Sequence, residues 1–265
     1  MTPRIGSWPA MAQPSAVPFS LDIAADFCHY SASSMKDTIA ANLMEVRGRI
    51  GEACEEYDRD IDDITLVAVS KTHPASAIQT AVAVGILDIG ESRLQEAEPK
   101  IDEVGHICRY HMIGHLQTNK VKKAVQLFDV VHSVDSFKLA EAISRRAEEV
   151  NRTIECYIEV NTSGEESKFG VAPDDTISLV KQVKDLPGVV LSGLMTIGPL
   201  TDDEDTIREA FRSCRELFKQ GRDIVGEEFD VLSMGMSDDF PLAIAEGSTM
   251  IRIGTAIFGP RQPRE

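Results

Sequence analysis

The chain has 265 residues, of which 43% are hydrophobic, enough for a sizeable core and too many for a disordered chain. Lys and Arg number 27 against 43 Asp and Glu, a formal charge of −16 that argues against a nucleic-acid or anionic-membrane surface but leaves room for a small basic pocket. No run of 18 apolar residues occurs, so no membrane span is predicted.

Residues 1–34 open on MTPRIGSWPAMAQPSAVPFS, rich in Pro, Ser and Ala and without helical or strand period. They read as a flexible tail and lack the continuous apolar segment of a secretory signal. Met35 is a plausible alternative start, just before the first helical pattern. There Ile39, Leu43, Val46, Ile50 and Cys54 recur at the spacing of one amphipathic face. Eight apolar runs follow: Ile64–Val69, Ile86–Ile89, Arg109–Ile113, Val130–His132, Ile154–Val160, Val189–Met195, Val231–Met234 and Met250–Ile253. Several are continuous in Val, Ile and Leu, as strands buried on both faces are.

Helical patterns separate these runs. Pro74 can open a first turn, Ser136 precedes Leu139 and Ile143, and Pro173-Asp174-Asp175 precedes Ile177 and Val180. DDEDTIREAF puts carboxylates at a helix N-terminus, where the backbone dipole favours them. Strand–helix alternation predicts parallel sheet, and eight such units suit a closed α/β (β/α)8 TIM barrel over residues 35–265, with an extra N-terminal helix. A doubly wound open sheet is the alternative, but no G-x-G-x-x-G follows the first strand and the strand count favours closure. Cys28, Cys54, Cys108, Cys156 and Cys214 are scattered without a C-x-x-C pair, which reads as reduced thiols of a cytoplasmic protein.

Barrel chemistry sits at the C-terminal rim, so the residues that end each strand matter most. LVAVSKTHP ends a buried run on Lys71. An amine in a partly dry site can attack an aldehyde; the ordinary reading is a lysine that snorkels to solvent or pairs with a carboxylate. Ser237 in LSMGMSDD and Gly254-Thr255 in IRIGTAIFG follow strands seven and eight, where barrels commonly hold phosphate. Glycine lets backbone N–H groups approach an anion, and the hydroxyls add donors. Arg252 reaches the mouth only if its side chain points inward. His111 and His115 stand four apart, but the first lies in a strand and no third ligand is evident, so no metal is expected. His115 reads as a hydrogen-bonding rim residue, with a packed structural histidine as the alternative. Lys168 in NTSGEESKFG is by default a solvated loop charge; the alternative is a second lysine that receives or relays an aldehyde.

The motifs VAVSKTHP, IGESRLQEA, YHMIGHLQTNK, HSVDS, VNTSGEESKFG, GLMTIGP and LSMGMSDDFPLAIAEGSTMIRIGTAIFG resemble, as a set, the pyridoxal phosphate homeostasis protein family (the YggS or PROSC type), from about Met35 to Gly259. The resemblance implies a barrel like the N-terminal domain of alanine racemase. It implies that Lys71 holds pyridoxal 5′-phosphate (PLP) as a Schiff base, that Ser237, Gly254 and Thr255 bind the phosphate, and that Arg252 faces the pyridine nitrogen. Ser92, His115, Asn161, Met195 and Met236 complete the expected cofactor-binding set. Ser92 stands where the family usually has Asn, a longer side chain.

A racemase like the alanine enzyme needs a base on each face of the substrate carbon. In that family the second is a tyrosine on a separate C-terminal domain. Here the sequence given stops six residues after Gly259, and none of Tyr30, Tyr57, Tyr110 and Tyr157 falls at an expected rim position. The expectation is therefore a binding protein rather than an enzyme, one that buffers or delivers vitamin B6 cofactor. The alternatives are a weak amino-acid racemase or lyase, and a sugar-phosphate barrel enzyme that uses Lys71 on its own substrate. Expected partners are apo PLP-dependent enzymes, with amino acids as transimination partners. Neither nucleic acid nor membrane is expected, and a monomer is expected rather than a dimer.

Overall fold

The computed structural model describes residues 29–165 and 168–260, with side chains from residue 35 onward. The elements run α1 (His29–Glu56), β1 (Thr65–Val69), α2 (Ala75–Ala83), β2 (Asp88–Glu91), α3 (Leu94–Val104) and β3 (Arg109–Met112). They continue with α4 (Val121–Leu127), β4 (Val130–Val134), α5 (Phe137–Glu149), β5 (Ile154–Glu159) and α6 (Pro173–Val183). The chain ends in β6 (Val189–Met195), α7 (Glu204–Val225), β7 (Val231–Ser233), α8 (Phe240–Ala245), β8 (Met250–Ile253) and α9 (Thr255–Phe258). The expected tail falls mostly on residues 1–28, outside the described residues. The first helix begins at His29, six residues before the expected start.

The strands form one closed barrel in sequence order, every neighbouring pair parallel. Closure comes from β8 against β1, with Val67 opposite Arg252 and Ala68 opposite Ile253. Side chains alternate across the wall. Outward residues such as Ala68, Ile89, Tyr110, Ile158, Leu194 and Ile251 join the large core shared with the helices. Inward Val67, Val130, Tyr157, Met195 and Met250 form a second, smaller cluster inside the barrel.

The helices follow from their sequence signals. The expected face of α1 is buried throughout, and Asn42 donates its amide to the Ile257 carbonyl at 2.9 Å, tying α1 to α9. Ser136 caps α5 by accepting from the Leu139 N–H at 3.4 Å, and Asp203 caps α7 by accepting from the Thr206 N–H at 3.3 Å. One strand moves: β2 is Asp88–Glu91, two residues beyond the predicted run. Ile86 is a buried loop anchor and Leu87 is exposed, whereas Gly90 packs its Cα against Val67 and Ile113 inside the barrel. A Cβ at Gly90 would lie 3.1 Å from the Val67 side chain, so a glycine just past the predicted run is needed within the wall.

Candidate functional site

A cavity of about 430 Å³ opens at the C-terminal ends of the strands. Seven of the ten expected cofactor residues line it: Lys71, Ser92, Met236, Ser237, Arg252, Gly254 and Thr255. His115, Asn161 and Met195 do not. His115 stacks on Phe169 with ring centroids 3.8 Å apart and points Nδ1 toward Asp135 at 3.4 Å. Asn161 donates to the Glu165 carbonyl at 2.9 Å and faces a neighbouring cavity of about 160 Å³ that also receives Lys168. Met195 is fully buried in the inner apolar cluster.

The turn that carries Lys71 is held in an uncommon conformation. Thr72 has φ of 68°, a left-handed setting that is costly for a β-branched residue. Its N–H donates to the Glu96 carboxylate. Lys100, nearly buried, donates to Glu96 at 2.8 Å, to Glu91 at 2.8 Å and to the Ser70 carbonyl at 3.0 Å. Burial opposes ionisation of Glu96, but the Lys100 and Thr72 hydrogen bonds hold its carboxyl below the usual range. Three elements are thus clamped behind the Lys71 backbone.

The opposite wall is built by β7 and β8. Gly235 has φ of 98°, and a Cβ there would lie 2.7 Å from the Ala243 Cβ. Only glycine lets the chain leave β7 so close to α8. Asp239 then accepts from the Met236 N–H at 2.6 Å and shapes the Met236–Ser237 turn. Arg252 does point inward. It is 4% exposed, donates to the Thr196 carbonyl at 2.9 Å and to Ser233 Oγ at 2.7 Å, and presents its guanidinium at the cavity floor. Burial pulls its pKa down to about 10, against the Asp239 and Glu159 charges that raise it, so it stays cationic at neutral pH. Glu159 lies near it, 6% exposed with one carboxyl oxygen unpartnered. Burial pushes the Glu159 carboxyl up to about 7, with Arg252 acting against that shift and Asp135 adding to it.

The residue expectations overlooked His73, which lines the cavity and packs its ring at a tilt against Phe258, and Asp238 and Ile197 on its rim. His73 stands inside the LVAVSKTHP motif, two residues from Lys71, so proximity in sequence was the available signal. Gly114 is also in the lining; a Cβ there would lie 2.2 Å from the Ser92 carbonyl oxygen, so the third strand end must pass close to the second. Among the described residues, no group of three or more His, Cys, Asp or Glu is placed to hold a metal ion, no helix is long and apolar enough to cross a membrane, and no tyrosine lines the cavity.

A lysine just after the first strand and two small-residue turns after the last two, at the mouth of an eight-stranded parallel barrel, define the alanine racemase N-terminal domain class. Residues 37–262 match the family described as alanine racemase, N-terminal domain. A Corynebacterium glutamicum alanine racemase superposes with a TM-score of 0.68 at 18% identity, over 85% of this chain and 62% of that one, which is a likeness of fold.

Within that class the chain belongs to the pyridoxal phosphate homeostasis protein family. It is 43% identical over 225 residues to the Pseudomonas aeruginosa pyridoxal phosphate homeostasis protein, covering 84% of this chain and 96% of that one. The Escherichia coli K12 homologue is 40% identical over 228 residues, covering 84% and 97%. PipY of Synechococcus elongatus, solved with PLP bound, superposes with a TM-score of 0.73 at 37% identity, over 83% of this chain and all of that one.

Proposed function

We propose that this protein binds PLP at the barrel mouth, holds it as a Schiff base on Lys71, and buffers or delivers the cofactor inside the cell without turning over a substrate. The observation that carries the reading is convergence: Lys71, Arg252, Ser237, Gly254 and Thr255 come from the first, seventh and eighth strand ends and line one cavity. When bound, PLP supplies an aldehyde that an amine can hold covalently and a ring that withdraws electrons.

The residues fit that group. The cavity is within the usual range for a small ligand, roughly 300–1,000 Å³. Gly254 keeps the phosphate turn open, because a Cβ there would press on the Val69 carbonyl oxygen at 3.3 Å. The backbone N–H groups and hydroxyls of the Ser237 and Thr255 turns supply neutral donors for the phosphate, and Lys71 supplies the amine. Arg252 has no acceptor atom and stays charged, so beside a pyridine nitrogen it would donate and oppose protonation, which would weaken the ring as an electron sink. Ile197 and Met236 shield the rim from water.

Two features argue for a carrier over a catalyst. A guanidinium lines the cavity and would oppose protonation of a pyridine nitrogen held there, and none of the three tyrosines with described side chains lines the cavity. Tyr110 and Tyr157 are buried and donate to the Gly105 carbonyl and to Glu155, and Tyr57 accepts from Arg208. The recipients of the cofactor are apo PLP-dependent enzymes, free amino acids serve as amine partners, and the protein acts as a monomer in the cytoplasm.

The test is to mix PLP-loaded protein with an apo PLP enzyme. Activation faster than with an equal load of PLP on an inert carrier is expected; equal rates would overturn delivery. Chiral chromatography after long incubation with single amino acids should show no racemisation, and enantiomer formation would favour the racemase alternative.

A further inference from the structure

We propose that His111 and His132, at the centre of the barrel, are positioning residues for Arg252. With Ser233 they form one polarised hydrogen-bond chain from the Asp88 carboxylate to the guanidinium below the cavity. The proposal rests on the PLP reading only for its effect on cofactor binding; the chain itself is a matter of the protein's own groups.

The geometry is continuous across five strands. Asp88 Oδ1 on β2 lies 2.9 Å from His111 Nε2 on β3. His111 Nδ1 lies 2.9 Å from His132 Nε2 on β4. His132 Nδ1 lies 3.3 Å from Ser233 Oγ on β7, and that oxygen accepts from Arg252 on β8 at 2.7 Å. His111, His132 and Ser233 are fully buried, while the Asp88 side chain is partly open to solvent at the far end.

With each ring carrying a single hydrogen, the carboxylate at one end sets the direction of every bond between the ends. An ionised Asp88 can only accept, so His111 Nε2 carries a hydrogen. A neutral His111 then accepts at Nδ1, so His132 donates from Nε2 and accepts at Nδ1. Ser233 must supply that last hydrogen, which commits its O–H to His132 and turns its lone pairs toward Arg252. In this arrangement each imidazole carries its single hydrogen on Nε2. The alternative of a charged His132 is opposed first by burial, which takes its pKa well below the usual histidine range, with the Arg252 and Arg109 guanidiniums acting in the same direction. The other ionisable groups facing the pair are Glu155 and Tyr157 of β5, the latter with its ring 4.5 Å from His132, and Arg109 of β3 is paired with Glu155.

The placement needs a reason. Barrel interiors are normally filled by Val, Ile and Leu, and a buried polar group is costly unless every partner is present. A complete chain avoids that cost and does what apolar packing cannot. It gives the buried guanidinium a fixed acceptor, oriented by a carboxylate two histidines away.

The test uses the full-length chain labelled with ¹⁵N-histidine. Long-range ¹H–¹⁵N spectra of the cofactor-free protein at neutral pH should show His111 and His132 as single neutral species protonated at Nε2, with assignments from His111→Gln and His132→Gln spectra. A hydrogen on Nδ1 of either ring, or an imidazolium, overturns the chain. Asp88→Asn keeps the shape but can donate as well as accept, so it no longer forces the hydrogen onto His111 Nε2, and it sits where solvent already reaches, so the fold should survive. In that variant the two rings should show mixed tautomers, PLP should bind about tenfold more weakly, and the absorption band of the loaded protein should shift. Altered tautomers with unchanged affinity and band would overturn the positioning of Arg252. A wild type that takes up no PLP would sink the function proposed above, while the cofactor-free spectra would still decide the chain.

Discussion

Replacing Glu159 by Gln should stabilise the protein at alkaline pH and leave it unchanged in acid. Glu159 is buried beside Arg252, and its folded-state pKa is raised from the ordinary 4.5 to about 7. Between those values the unfolded chain releases the proton while the folded one keeps it, so the wild type loses stability as pH climbs through this window and is level above it. At about 1.36 kcal/mol per tenfold change in proton affinity, the loss reaches at most ~3 kcal/mol. Gln has the shape of the protonated side chain and carries no such dependence. Urea unfolding of both proteins without cofactor, at fixed ionic strength, should give equal free energies near pH 4.5 and a variant more stable by up to ~3 kcal/mol at pH 8, or roughly 6–12 °C in Tm. A difference that does not change with pH would refute the burial argument.

Other substitutions probe the walls of the site. Gly235→Ala forces a Cβ against Ala243 at a left-handed position, and should cost roughly 2–4 kcal/mol in urea unfolding and weaken PLP binding by displacing the Ser237 turn. Ser237→Ala and Thr255→Ala each remove one hydroxyl donor to an anion. Each should weaken PLP binding about tenfold in a fluorescence titration while leaving the far-ultraviolet circular dichroism unaltered. Lys100→Met leaves Glu91 buried without its cation and frees the Glu96 clamp on Thr72. It should destabilise the protein by roughly 3–5 kcal/mol on chemical denaturation.

The barrel was legible because its strands are buried on both faces and so appear as short continuous apolar runs; all eight fall within or beside the expected segments. The strand that moved, β2, carries Gly90 and Glu91 where apolar residues were sought. Its glycine is set by crowding inside the barrel, and its glutamate by Lys100 from the next helix. Both causes are tertiary. The helix start at His29 was hidden for a related reason, since its first turn lacks an acidic cap signal. Lys71 and the Ser237 and Gly254-Thr255 turns stood out because each follows a strand in a recognisable motif. The central histidines did not. From sequence His111 comes up only as a candidate metal ligand; its partners lie on β2 and β4, and His132 reaches on to Ser233 of β7, a juxtaposition that exists only once the barrel closes. Asn161 and Met195 enter only with the set the resemblance implies, and a motif leaves open the direction in which a side chain leaves the wall.

Borohydride reduction of the PLP-loaded protein, followed by peptide mass mapping, tests the central claim most directly. A phosphopyridoxyl adduct on Lys71, absent from the Lys71→Ala variant, is the predicted result. An adduct located only on another lysine, or none at all, would contradict it.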